Sequence, residues 1–439
     1  MTMPASSSTD LCFLGARAAA LAMEQGRLTS QQLVEALLER IAQREPVVRA
    51  WAHLDTQGAM DQARALDRQG RQHAQSWLHG LPIGWKDVID CKDLPTGCGS
   101  PIYAGAVAGT DAGSVAMARR AGAVVLGKTV TTEFAASHPG VTTNPHNPAH
   151  TPGGSSSGSA AAVADGMVPC ALGTQTGGST IRPASFCGVV GFKPSFGLIN
   201  RYGVKQLADS LDTVGTFARS IEDTALLVAG LTGRSDFVQI DAARPARVSL
   251  CKGPEWREAE PATLQALEET VTLLSARGVS VKEIVLPEIF AGMTPAHHTI
   301  EYFELARALQ HEYRHHRALL SDAIASRIEK GLACPPADYE AALALREQCR
   351  QLLAQQVFGE ADILLAPAAP GEAPPGLTGT GKAVFNRLWT ALGLPALSLP
   401  GFKGPAGLPV GVQLIARSRH DTRLLAHAAW LEAQLAQRY

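Results

Sequence analysis

Charge is scarce in this chain and neither sign dominates. Asp, Glu, Lys and Arg make up 18% of its 439 residues, and 39 basic against 40 acidic side chains leave a formal charge of −1. That balance argues against a polyanion-binding surface or an acidic tail as its main business. Any Cys-x-x-Cys pair is also missing. The eight cysteines, at 12, 91, 98, 170, 187, 251, 334 and 349, read as free, mostly buried thiols rather than zinc ligands or a disulfide framework. No apolar run reaches the roughly 18 residues that a membrane span needs. The first ten residues, MTMPASSSTD, have neither the basic patch nor the apolar stretch of a signal peptide or anchor, so a cytoplasmic location is expected. Neither a fixed-period repeat nor a low-complexity linker is visible. What the chain does have is apolar side chain, 46%, enough to bury a large core.

The pattern changes along the chain. Residues 11–80 read as helices, with Leu33, Val34, Leu37, Leu38 and Ile41 at helical spacing behind Ser30 as a cap. From Leu81 to about Gly230, short apolar runs alternate with Gly, Ser, Thr and Pro clusters, as in an α/β sheet. Thirteen of the 42 glycines fall between Gly140 and Gly215, which implies tight backbone geometry. Residues 245–356 read as amphipathic helices around one strand pair. ILLAPAA, PALSLPG and PVGVQLIA then return as strands that most simply rejoin the early sheet, making 245–356 an elaboration of one domain.

Four motifs compete for the chemistry. Gly122–Thr129 fits the phosphate-loop pattern letter for letter, but SVAMARRA before it is helical and AVVL inside it strand-forming, so the order is helix–strand instead of strand–loop–helix. His311-Glu312-Tyr313-Arg314-His315 matches a two-histidine zinc motif without a third ligand, amid charges that suit a solvated helix face. Gly154-Ser155-Ser156-Ser157-Gly158 would place Ser156 on a nucleophile elbow, yet the three prolines of TNPHNPAHTPG exclude the preceding strand. The fourth constellation joins distant pieces: TPGGSSSGSAAAVA at 151–164, GTQTGGSTIRPASFCG at 173–188, and Lys86 in LPIGWKDVID. Each alone is a turn or a surface lysine. Together they offer two hydroxyls, an amine and a run of unobstructed N–H donors.

This fourth set resembles the amidase signature family, and within it the small malonamidase-like bacterial amidases. The resemblance is densest from Lys86 to about Asp223 and weaker at LPALSLPGF and LPVGVQLIA. It implies a single α/β/α domain over 1–439 around a large mixed β-sheet, a catalytic core at 81–230, and a helical elaboration at 245–356 that shapes the pocket. Ser179 corresponds to the nucleophile, Ser155 to the bridging serine after a cis peptide bond, and Lys86 to the base. The N–H groups of Thr176, Gly177, Gly178 and Ser179 match the oxyanion hole. Arg182, Gly154 and Thr180 are candidate substrate contacts, Arg182 standing equally well as a brace for the loop. No metal and no organic cofactor are implied. Gln175 departs from the family, where many relatives have Asp.

The chemistry makes sense of these residue types. A serine hydroxyl needs a neighbour to take its proton as it attacks an amide carbonyl, and a lysine can do so once burial lowers its pKa. Strand alternation would put Val88 and Asp90 on the side of Lys86, Val88 walling off water and Asp90 opposing the shift. The expected function is hydrolysis of a small carboxamide through a Ser179 acyl-enzyme, with a small-molecule amide as partner, no nucleic acid, no membrane, and a homodimer allowed by the resemblance. The rivals are the glutaminase subunit of a tRNA-dependent amidotransferase and a non-catalytic binding protein on the same fold.

Overall fold

Eleven strands assemble into one mixed sheet whose order departs widely from chain order. The computed structural model describes residues 11–71, 76–136 and 138–437, and the first ten residues, read above as carrying no leader, lie outside the described residues. The strands are β1 (Trp51–Leu54), β2 (Pro82–Lys86), β3 (Val124–Thr129), β4 (Cys170–Gln175), β5 (Val190–Lys193), β6 (Thr213–Ala218), β7 (Arg247–Lys252), β8 (Ser280–Val285), β9 (Ile363–Pro367), β10 (Ala396–Lys403) and β11 (Pro409–Ile415). Across the sheet they run β1-β3-β2-β4-β6-β5-β10-β11-β9-β7-β8. β3, β2 and β4 are mutually parallel, the central pairs from β4 to β9 antiparallel, and β9, β7 and β8 parallel again. The late strands do rejoin the early ones, and helices flank this single large sheet.

Strands β2 to β6 are buried at every position, as expected of a sheet covered on both faces. The period of two sorts their side chains. Ile83, Trp85, Val125, Cys170 and Leu172 enter one core, while Val124, Leu126 and Ala171 enter another with the helix Ser157–Ala164. Lys86, next after Trp85, therefore falls on the side of that helix and of the Gly/Ser loop feeding it.

Two details differ from the sequence reading. Residues 11–80 are not all helical, since Trp51–Leu54 pairs antiparallel with β3. The cap of Ser30–Val48 is Thr29, whose Oγ1 accepts from Gln32 N–H at 3.1 Å while the Gln32 side chain accepts from Thr29 N–H at 2.9 Å. Ser30 instead donates its hydroxyl to the Gly80 carbonyl, 2.8 Å.

Segment 245–356 adds β7 and β8 at one edge of the sheet and the helices Met293–Ala308, Asp322–Ala333 and Pro336–Leu352. The first two cross at Gly331, where a Cβ would lie 1.9 Å from the Tyr302 carbonyl oxygen. Helix propensity alone favours Gly331→Ala by about 1 kcal/mol. Overpacking against fixed backbone costs about 1–3 kcal/mol, so the clash wins. Gly331→Ala should lower the urea midpoint without changing the m-value; an unchanged or raised midpoint would show that this crossing is not close-packed.

Candidate active site

Lys86 ends β2 and Gln175 ends β4, and because these neighbours are parallel their carboxyl ends open on the same edge of the sheet, where α/β sites form. The Lys86 side chain is fully buried, with Nζ 2.8 Å from Ser155 Oγ and 2.7 Å from Thr174 Oγ1. Burial lowers its pKa to about 7, opposed by the charge of Asp212. The opposing carboxylate is thus Asp212, not Asp90, and Val88 does not continue a strand. β2 stops at Lys86, and the N–H groups of Val88 and Ile89 fold back onto the Lys86 carbonyl at 2.8 and 2.9 Å.

The peptide bond between Gly154 and Ser155 is cis. Ser156 fastens this loop to β4: its Oγ donates to the Thr174 carbonyl and accepts from Thr174 N–H, both at 3.2 Å, and its own N–H reaches the Ser179 carbonyl at 3.4 Å. That use of Ser156, after a loop rather than a strand, leaves no nucleophile elbow.

Gln175 organises the second loop. Its Oε1 accepts from the N–H groups of Thr180 and Ile181 at 2.8 and 3.0 Å, and its Nε2 donates to Thr390 Oγ1 at 2.9 Å, which in turn donates to the Gly177 carbonyl at 2.8 Å. Among the described residues, the N–H groups of Gly177, Gly178 and Ser179 donate to no protein group. A Cβ at Gly178 would meet Asn386 Oδ1 at 2.4 Å, whereas one at Gly177 would only touch Arg387 and His297 at 3.7–3.9 Å. Thr176 places its hydroxyl on Asp212, whose carboxylate also accepts from Leu207 and Ala208 N–H at 2.8 and 3.1 Å, and burial pushes its pKa up to about 6.

The tentative substrate contacts fall differently. Arg182 is buried and donates to the Gly154 carbonyl and to Thr380 Oγ1, the latter at 3.1 Å. Thr180 is fully buried, its Oγ1 turned toward Gly215 of β6, so the structure does not bring it to the pocket. Gly154 takes part through its carbonyl.

Gly122–Thr129 follows the helix Gly113–Arg120 and runs directly into β3, with Lys128 buried against Asp87 at 3.2 Å. Glu312 of the HExxH stretch is held by Lys205 and Tyr103. Among the described residues, the three-ligand metal geometry lies at His297, His298 and Glu301, within 4.8 Å of one another. Arg327 already holds Glu301 at 2.8 Å, and Arg387 acts on both histidines, a cationic setting that repels a divalent ion.

The family model "Amidase" matches residues 32–425. The chain belongs to the amidase family. It is an amidase, a hydrolase of amide C–N bonds, which sets aside the non-catalytic rival. It is 34% identical to a glutamyl-tRNA(Gln) amidotransferase subunit of Roseiflexus sp. (strain RS-1), over 92% of this chain and 93% of that one. A solved amidase is 32% identical with a TM-score of 0.84, covering 95% of this chain and 99% of that one. The peptide amidase of Stenotrophomonas maltophilia is 29% identical with a TM-score of 0.80, over 96% and 97%. The expectation of a small-molecule amide as the partner, with no nucleic acid, is corrected by these relatives. For a chain similar over nine-tenths of its length to a protein named as a glutamyl-tRNA(Gln) amidotransferase subunit, balanced charge does not exclude a macromolecular partner.

Sequence reasoning missed Thr174, Asp212, Thr390 and Arg387 in this amidase. Thr174 was within reach, two residues before the recognised Thr176 on the same strand edge, while the others come from distant segments. Since the Asp212 charge raises the Lys86 pKa, Asp212→Asn should lower it further and move the acid limb of the kcat/KM–pH profile to lower pH. A limb that stays in place or moves up would deny the coupling.

Proposed function

We propose that this amidase releases ammonia from a carboxamide through an acyl-enzyme on Ser179, and that it does so as the ammonia-producing component of a tRNA-dependent amidotransferase. The observation that supports the chemistry best is the buried amine of Lys86, 2.8 Å from Ser155 Oγ and titrating at about 7. In the neutral amine that contact lets the Ser155 hydroxyl donate to the Nζ lone pair. Ser155 can then accept the proton of Ser179 as Ser179 Oγ bonds to the amide carbon. The carbonyl electrons become an oxyanion facing the N–H groups of Gly177, Gly178 and Ser179, donors of a kind worth about 2.7–4 kcal/mol each in the transition state. On collapse the C–N bond breaks, and the proton returns through Ser155 to the leaving nitrogen. Water then attacks the ester by the same route, regenerating Ser179.

The second half of the proposal is supported by the curated relatives, glutamyl-tRNA(Gln) amidotransferase subunits at 31–34% identity. A free-standing amidase is the second reading, favoured by the solved amidase and peptide amidase. We place catalysis in 81–230, with the helices of 245–356 lining the pocket, as His297 on the Thr176 carbonyl at 2.8 Å suggests. A reducing compartment such as the cytoplasm suits a chain whose cysteines, all but Cys334 buried, form no Cys-x-x-Cys pair. Arg182, held by Gly154 and Thr380, acts as the brace of the cis-serine loop.

Ser179→Ala should abolish the acyl-enzyme seen by mass spectrometry, and Lys86→Ala should lower turnover by about 10²–10⁴-fold, the double variant being little worse than either. In the wild type, kcat/KM should rise through pH about 7 as Lys86 loses its proton, then level off. Near-normal turnover in Lys86→Ala, or activity that falls as pH rises from 6 to 8, would sink the assignment. Steady ammonia release from simple amides by the purified chain alone would favour the free-standing reading; release from glutamine only with partner proteins and tRNA would favour the amidotransferase.

Arg182→Lys should lower the melting temperature and reduce kcat/KM equally for charged and neutral amides. A loss confined to carboxylate-bearing amides would instead make Arg182 a substrate contact.

A further inference from the structure

Arg387 is a half-buried guanidinium that forms no ion pair among the described residues. It begins the short helix Arg387–Ala391, and Thr390, one turn on, is the residue that grips the Gly177 carbonyl. The Arg387 side chain consequently lies along the oxyanion turn, its Cγ 3.7 Å and Nε 3.9 Å from where a Gly177 Cβ would be. On the other side of that point is His297, Cε1 at 3.9 Å. Among the described residues Arg387 makes no hydrogen bond or ion pair, and its buried Nε has no partner. The carboxylates that act on it at longer range are engaged elsewhere, Glu301 by Arg327 at 2.8 Å and Glu255 by the Thr294 hydroxyl.

The rest of the neighbourhood adds positive charge or none. Arg182 and Arg327 are like charges nearby. His297 donates its Nε2 proton to the Thr176 carbonyl, and burial and Arg387 hold its pKa at about 3 and that of His298 at about 4, so both rings are neutral at working pH. A guanidinium whose Nε is buried without a partner carries a desolvation cost, and one kept beside the proposed oxyanion turn leaves its charge and its donors to a ligand.

We infer that Arg387 holds the carboxylate of a short acid-amide, the ω-amide of a dicarboxylic or amino-dicarboxylic acid, while the amide carbonyl of that substrate lies at the N–H groups of Gly177 to Ser179. This assignment rests on the proposed role of Ser179, and it gives the substrate a class, a carboxamide with its own carboxylate. A guanidinium suits it because two parallel N–H donors match a carboxylate.

Two measurements test it. The first compares kcat/KM for the half-amide of glutaric acid with that for pentanamide, equal in length but uncharged. Arg387→Met should lower the acid-over-neutral ratio by about 10- to 100-fold, the worth of charge-assisted hydrogen bonds, with Arg387→Lys in between. The second uses the Ser179→Ala protein with glutarate as probe. Glutarate should raise its melting temperature, and adding Arg387→Met should remove that shift. An unchanged ratio in a folded Arg387→Met enzyme, or equal glutarate stabilisation with and without Arg387, overturns the inference. Full turnover in Ser179→Ala would instead overturn the nucleophile assignment, and the glutarate shift would still decide Arg387.

Discussion

The arrangement depends on an amine taken out of water without a carboxylate to neutralise it. Three lysines of this chain, Lys86, Lys128 and Lys193, are fully buried. Lys128 has the Asp87 carboxylate beside it at 3.2 Å. Lys193 is depressed to about 7 like Lys86, but it donates to the carbonyls of Pro194 and Leu394, groups that have no proton to give. Only Lys86 meets hydroxyls, Ser155 and Thr174, without a carboxylate beside them. A depressed pKa therefore does not by itself separate Lys86 from Lys193; the exchangeable hydroxyl proton 2.8 Å from the Lys86 amine is what supports its proposed role as base.

Gln175 carries this arrangement into the rest of the molecule. An aspartate at this position could accept from Thr180 and Ile181, as Gln175 does, but it could not donate to Thr390. The amide does both, so the turn Thr176–Ser179 is tied at once to the helix that follows Ser179 and to the helix that carries Arg387. Gln175 is thus the link through which residues more than two hundred positions apart share one turn.

The sheet, the two Gly/Ser loops and the lysine were legible because each has a local signature: runs of apolar residues, glycines where backbone must approach, a cation in an apolar stretch. The rejected phosphate loop was legible for the same reason, since a helix before Gly122 contradicts that mechanism. The surroundings of Lys86 were not. Strand alternation ends where Val88 and Ile89 turn back on the Lys86 carbonyl, so the place it assigns to Asp90 belongs to Asp212. Asp212, in ADSLDTVG, and Arg387 and Thr390, in FNRLWT, reach the site through tertiary contacts that no local pattern announces. The partner expectation failed in a different way, because net charge describes a whole surface and says little about one association face.

Arg182 and Arg387 show how identical side chains come to differ. Arg182 is buried and Arg387 half-buried near the same loops, and desolvation lowers the pKa of both. Arg182 is answered by the protein itself, through a carbonyl of the cis-serine loop and a threonine hydroxyl, so moving it onto a substrate would strip the loop of its support. Arg387 is answered by nothing among the described residues, and the groups that could have answered it are either neutral imidazoles or carboxylates committed to other partners. Position in sequence favours Arg182, three residues past Ser179. Unspent hydrogen-bonding capacity favours Arg387, and recognition of a ligand requires donors that the folded protein has not already used.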